Sequence, residues 1–364
     1  MSYSECKLPE YPVQKDMWDA LALEKRPIVV YGMGNGADKL IARFEKYGIE
    51  IADFFASDGF VRGHSFHGKR VKSFSEIKSE YSDFVIVLSF ASNREDVVDM
   101  LSAIDSEYDM YVPDMPVAGE EYFDREFYNA HYSEIAEAYS AFGDESSRNC
   151  YASVITYKLT GRMKHLLGAF STRDELYSEL PRDKISSVID AGAYNGDTVR
   201  EAMEYFPRLR EITAIEPDPK NFKKLLRYVE GVSSPNVSAV NAAVWDNLGN
   251  AEMMSSGNRN SSLDSTSSFE YRDAGVTLIT LDSLGLSPDY VKYDVEGAEL
   301  RALVGSSETI RRSHPTLLVS LYHRSEDIFR IVNYLTREYP FYRPVLRRLK
   351  CLPAWEIDLL MLDT

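Results

Sequence analysis

The sequence predicts an α/β fold: two units with largely parallel sheets, joined by a helical connector. Three observations predict it. Short apolar runs alternate with amphipathic helical stretches in both the first and the last part of the 364-residue chain. Residues 119–182, between them, show helical periodicity alone. The charge is also lopsided: residues 1–150 carry 15 Lys and Arg against 28 Asp and Glu, net −13, whereas the remaining 26 against 29 give −3.

In the first unit, 1–118, "PIVVYG" (27–32) has the continuous apolar character of a buried strand. "ADKLIARFEKYG" follows with apolar residues at helical spacing, and "IEIADFFASD" (49–58) and "DFVIVLSFA" (83–91) return as strands. Such alternation implies a small parallel, Rossmann-like sheet. "VVYGMGNGADKL" puts Gly32, Gly34 and Gly36 behind the first strand, with Asp58 ending the next, in the manner of a nucleotide-binding turn. Ala37 stands where a third fingerprint glycine would fall, and an acidic unit repels phosphate at long range. A structural or substrate-docking role therefore stands beside nucleotide binding.

The connector, 119–182, contains "REFYNAHYSEIAEAYSAF" and "CYASVITYKLTGRMKHLLGAF", each with apolar residues at i, i+3 and i+4. Its richness in Tyr and Phe predicts packing on one or both units rather than a flexible linker. The last unit, 183–364, predicts strands at "SSVIDAG", "EITAIEP", "VSAVNAAVW", "VTLITLD", "DYVKYDV", "TLLVSLYH" and "WEIDLLMLD". The last two lack an intervening glycine turn, which points to an antiparallel edge on a mostly parallel sheet. "MSSGNRNSSLDSTSSFE" (254–270) is without periodicity and reads as a mobile surface loop.

Composition excludes several classes. A net charge of −16 argues against nucleic acid, which demands a basic face. Only "RPVLRRLK" (343–350) and Arg311–Arg312 are locally basic, and both read as solvated surface. The longest apolar runs, such as "FVIVLSFA" (84–91), are too short to span a bilayer, and no export signal opens the chain. Cys6, Cys150 and Cys351 are too scattered to predict a disulfide framework or a zinc site. The expectation is a cytoplasmic protein; homo-oligomerisation is left open.

Two motifs carry chemistry. "VIDAGAYNGDTV" (188–199) runs a strand into Asp190, Gly192 and Gly196 and then a helix, with glycines for a tight turn and close backbone approach at a helix N-terminus. Glu216, ending the next strand in "AIEPDP", is placed for ribose hydroxyls in the crevice beyond the strand ends. "YVKYDVEGAEL" (290–300) then sets Asp294, Glu296 and Glu299 behind another strand, where charge is costly unless something uses it. "VIDAGAYNGDT", "IEPDP", "NAAV" (241–244), "TLDSL" (280–284) and "VKYDVEGAE" occur in the order and rough spacing of the FkbM-type methyltransferases, and the chain resembles that family over about 183–335.

The resemblance implies S-adenosylmethionine as cofactor and methylation of a hydroxyl on a glycan, sugar-nucleotide or other small molecule. It puts Asp190, Gly192, Tyr194 and Gly196 at the methionine end, Glu216 on the ribose, and Asn241 and Ala242 near the adenine. Asp294 is the expected base or acceptor-orienting group, with Glu296 and His323, in "SLYHR", as further catalytic candidates. Glu299 is expected to face solvent or pair with Arg301 or a neighbour. Family members often carry a carboxylate near Ser320, and with none there no metal site is expected. Two alternatives remain open: a nicotinamide-dependent oxidoreductase using the N-terminal glycine loop, and a non-catalytic binding protein on the same scaffold.

Overall fold

Four largely buried strands of three or four residues, a two-residue strand and their helices build the first sheet, in a computed structural model that describes residues 7–61, 63–252 and 275–364. The strands are β1 (Ile28–Tyr31), β2 (Asp53–Ala56), the shorter β3 (Lys72–Ser73), β4 (Val85–Leu88) and β5 (Asp109–Tyr111). Their order is β3–β2–β1–β4–β5, with every pairing parallel. The predicted loop at 254–270 and Cys6 lie outside the described residues.

The second sheet has seven strands. These are β6 (Ser187–Ala191), β7 (Glu211–Ile215), β8 (Asn236–Val240), β9 (Tyr290–Tyr293), β10 (Thr316–Ser320), β11 (Tyr342–Arg348) and β12 (Ile357–Asp363). They lie in the order β8–β7–β6–β9–β10–β12–β11, parallel through β10, with β12 inserted antiparallel between β10 and β11. The fold is thus mostly parallel with an antiparallel edge, as expected.

Two local expectations need correction. "VSAVNAAVW" is not one strand: it breaks after Val240, and Ala243–Val244 joins a separate small sheet. "VTLITLD" does form a strand as expected, Gly275–Ile279, which belongs to that small sheet and pairs with Gly249–Glu252. "RPVLRRLK" is not solvated surface, because most of it is strand β11. Strand alternation turns Arg348 inward, where its guanidinium donates to the carbonyls of Leu166 (2.7 Å) and Cys351 (2.9 Å). The next residue inward of the edge, Arg347, reaches Glu179.

The helical segment is core rather than linker. Helix Glu145–Thr160 is buried around most of its circumference, including Tyr151, Val154, Ile155 and Tyr157. These side chains share one apolar cluster with Val29 and Ile86 of the first sheet and Val291 and Leu317 of the second. A helix buried all round needs apolar neighbours on every side, and two sheets supply them. Backbone bonds add direct ties: Ser92 and Leu352 exchange N–H···O bonds of 2.7 and 2.9 Å, and the amides of Val117 and Ala118 both donate to the His323 carbonyl, at 3.1 and 2.9 Å. Among the described residues, no helix is long and apolar enough to cross a membrane.

Among the N-terminal glycines, Gly32 and Gly36 have packing reasons, and Gly34 (φ +116°) a conformational one. A Cβ on Gly36 would sit 2.1 Å from the Ser89 carbonyl oxygen, so the first helix of that sheet can approach β4 only without a side chain there. Asp58 accepts from the Ser75 amide and hydroxyl, which engages the carboxylate that a nucleotide ribose would have used. Gly36→Ala should therefore cost about 1–3 kcal/mol of stability through overpacking. Gly59→Ala, where a Cβ meets nothing within 4 Å, should leave it unchanged. Urea unfolding monitored by circular dichroism compares the two.

Candidate active site

Neighbours of β6 and β9 lie on opposite sides: β6 is followed in sequence by β7 on one flank, and β9 by β10 on the other. At such a reversal the loops leave the carboxyl ends in opposite directions and open a crevice. A cavity of about 270 Å³ lies there. Gly192, Tyr194, Glu216 and Ala242 line one part of it, and Asp294, Glu296 and His323 another. Three predicted residues are outside its lining. Asp190 is buried beneath it and accepts from the Thr198 hydroxyl, and Thr198 itself lines the cavity. Gly196 abuts the Tyr228 ring, and Asn241 is exposed, its amide donating to the carbonyls of Glu216 (2.8 Å) and Pro217 (3.1 Å).

On the first side, Gly192 is required by the chain itself. A Cβ there would come 1.8 Å from the Asp294 carbonyl oxygen, and its φ is +95°. The expected close approach is thus to the neighbouring strand's backbone. Glu216 accepts from the amides of Tyr194 (2.9 Å) and Asp218 (2.8 Å), which aims its carboxylate across the turn. Burial nevertheless pushes its pKa up to about 7, and burial pushes Asp190 up to about 6.

The second side is built on a sharp reversal after β9. Glu296 (φ +55°) and Gly297 (φ +94°) are consecutive left-handed residues, a strained conformation for a glutamate. Glu299 stabilises this turn: its Oε1 accepts from the amides of Val295 (2.8 Å) and Gly297 (3.3 Å). It is 0% exposed, so the expected solvent-facing role is wrong. The reversal folds the helix back over the strand end, and Arg301 pairs with Asp246 instead.

His323, also 0% exposed, connects the acids. Its Nδ1 lies 2.9 Å from Glu299 Oε1, within ion-pair range though off the line of a hydrogen bond. Its Nε2 lies 3.5 Å from both Asp294 Oδ1 and Glu296 Oε2. Burial works against the imidazolium, but Glu299 and then Glu296 and Asp294 outweigh it and hold the pKa up at about 10. Glu296 moves the other way for a carboxylate: burial, with Asp294 adding, lifts it to about 8 against the pull of His323.

Asp294 is the most acidic of the group. Burial would raise it, but Lys292, whose Nζ is 2.9 Å from Oδ2, and His323 bring it down to about 2. Tyr322 donates to its other oxygen at 3.3 Å. A carboxylate held ionised so firmly orients partners better than it removes protons. Lys292 was missed in the sequence because it sits inside an apolar strand. It pairs in register with Asp190, and the two carboxylates keep it protonated against burial. Asp294, Glu299 and His323 also bring ligand atoms within 4.8 Å of one another, a donor set suited to a metal ion.

Against this geometry, residues 190–342 match the methyltransferase FkbM domain model. Over that segment, less than half of the chain, the sequence is similar to the FkbM methyltransferase domain. Every candidate acid and His323 fall within the match. A search among curated proteins returns no match. Among solved structures, the methyltransferase FkbM from Methylobacillus flagellatus KT is 17% identical, with a TM-score of 0.66 over 93% of this chain and 90% of that one. That likeness shows the fold across both sheets. The precorrin-6y C5,15-methyltransferase of Geobacter metallireducens GS-15 is 14% identical, with a TM-score of 0.35 over 54% of this chain and 96% of its own. Fibrillarin of Aeropyrum pernix, solved with bound S-adenosyl-L-methionine, is also 14% identical, with a TM-score of 0.32 over 50% and 69%. At those scores the last two add no weight.

The acids of the crevice set a pH dependence of stability. Asp190, Glu216 and Glu296 hold protons more tightly folded than unfolded. Their stabilisation is complete below the ordinary values of 3.8 and 4.5 and is lost as pH rises through about 6, 7 and 8. Asp294 has the opposite sign and gives up its contribution only as pH falls through about 2. The melting temperature of the free protein should therefore drop from about pH 4 to about pH 8. Lys292→Met should cost about 3–5 kcal/mol by leaving two carboxylates without their cation. Calorimetric melts across pH measure both.

Proposed function

We propose that the protein is an S-adenosylmethionine-dependent O-methyltransferase acting on a hydroxyl of a glycan or other small molecule, in the cytoplasm. One observation carries the reading. A single cavity at the strand-order reversal is faced on one side by Glu216 and the Gly192 turn, and on the other by Glu296 and His323.

The residues fit the cofactor. Asp190 Oδ1 is a buried acceptor without a partner, beneath a cavity whose acids suit a sulfonium and an ammonium. Gly192, Asp197 and Thr198 would hold the amino-acid end, Glu216 the ribose, and the apolar wall of Ile215, Ala242 and Val244 the adenine. When bound, S-adenosylmethionine supplies an activated methyl group on sulfur. The chain's own residues align the acceptor oxygen with it, and such positioning contributes about 7–11 kcal/mol to lowering a barrier.

Asp294, fixed by Lys292 and Tyr322, accepts from the acceptor hydroxyl and orients it. Glu296, with a pKa of about 8, takes the proton that leaves the oxygen, since a base matched to the working pH transfers protons best. His323, kept cationic by Glu299, stabilises the carboxylate once it is ionised. The first unit serves acceptor docking through Asn93 and Val117, which line the same cavity.

S-adenosylhomocysteine should bind the full chain in calorimetric titration, and absence of binding would falsify the reading. Glu216→Gln should weaken that binding by about 10- to 100-fold, the worth of a hydrogen bond to a charged group. In an assay with labelled methyl donor and a panel of hydroxylated acceptors, kcat/KM should rise with pH to a plateau, with its inflection near 8. Glu296→Gln should abolish that inflection and lower kcat by about 10²- to 10⁴-fold.

A further inference from the structure

The cavity extends past the proton-handling group to a wall formed where β12 begins. β12 runs antiparallel, so its first residues reach the same end of the sheet as the last residues of β10. Asp358 thereby lies in register with Ser320 on one flank and Arg347 on the other. Its side chain faces the cavity, is 7% exposed as a residue, and has neither a hydrogen bond nor an ion pair among the described residues. Burial pushes its pKa up to about 8, with Glu356 beside it adding to the effect.

The cavity's own cations are committed elsewhere. Lys292 is bound to Asp294 and Arg173 to Glu201. Lys292 and Arg173 act on Asp358 only through space and do not offset its burial, and a buried carboxylate without a direct ionic partner is costly and invites a cation. Above it, the rings of Trp355 and Tyr322 are near-parallel, with centroids 6.5 Å apart, a wall suited to cation–π contact. Trp355 Nε1 is buried without an acceptor, a spare donor in the same wall. Residues 355–358 lie beyond the 190–342 match, whereas Tyr322 falls within it.

We propose that this wall is an acceptor subsite for a protonated amine carried near the hydroxyl to be methylated, held by Asp358 and Glu356 against Tyr322 and Trp355. The proposal rests on the methyl-transfer reading and narrows it. The acceptor is an amino alcohol or amino sugar rather than a sugar-nucleotide. Cavity acids repel phosphate, whereas an ammonium supplies the charge that Asp358 lacks. Trp355 Nε1 donates to an oxygen of the same molecule.

The test titrates glucosamine, glucose and glucose 1-phosphate separately into the full chain loaded with S-adenosylhomocysteine, near neutral pH. Glucosamine should bind at least about tenfold tighter than glucose, and glucose 1-phosphate weakest, as charge pairing and cation–π contact require. Asp358→Asn and Glu356→Gln should each erase the preference for glucosamine while leaving S-adenosylhomocysteine affinity unchanged. Glucosamine binding no tighter than glucose, including no binding of either, overturns the proposal, and so does tightest binding of glucose 1-phosphate. The three-ligand comparison in the unaltered protein decides the matter even if a variant does not fold. Failure of S-adenosylhomocysteine to bind strikes at the methyl-transfer reading instead, and the glucosamine-to-glucose ratio still decides the subsite.

Discussion

One buried ammonium holds the centre of this molecule together. Lys292 lies on β9 beside Asp190 of β6, and its Nζ is bound to Asp294 at the end of its own strand. Without it, two carboxylates would face each other at the seam where the sheet's connections diverge, and neither could remain ionised at low cost. With it, Asp294 is fixed as an anion while its neighbours are free to hold protons. The division of labour among the acids follows from this one pairing.

Around that seam the two flanks do different things with the same residue type. Glu216 is aimed by backbone amides and Asp294 by a cation. Glu299 is spent on a turn and an imidazole, and Glu296 is left with its proton affinity raised. Glu216, Asp294 and Glu296 in one crevice would be a liability if they were equivalent. Separate partners split their pKa values from about 2 to about 8, which is how one cavity can both orient and deprotonate.

Much of this was legible in the sequence because strand-end positions are local facts. A parallel strand that runs into glycine or acid delivers that residue to the crevice, so Gly192, Glu216, Asp294 and Glu296 were found. Glu299 was misjudged because two left-handed residues, Glu296 and Gly297, reverse the chain just before it, and helical spacing alone predicts solvent. Lys292 was hidden by the apolar alternation that identified its strand. Asn241 sits where a strand breaks to join another sheet, and its amide is used on the backbone. Arg348 and the 355–358 wall depend on the antiparallel insertion of β12, a matter of strand order that no local pattern reveals.

The ties between the first sheet and the second carry a consequence for how such a protein diversifies. The carbonyl of His323 receives two amides from residues 117–118, and the loop before β12 is bridged to Ser92. The part that surrounds Glu216 touches neither tie. Change in the first unit can therefore move the backbone that carries the histidine and the aromatic wall, while the Glu216 side of the crevice stays as it is. The N-terminal sheet is in this sense an exchangeable mould pressed against a constant engine.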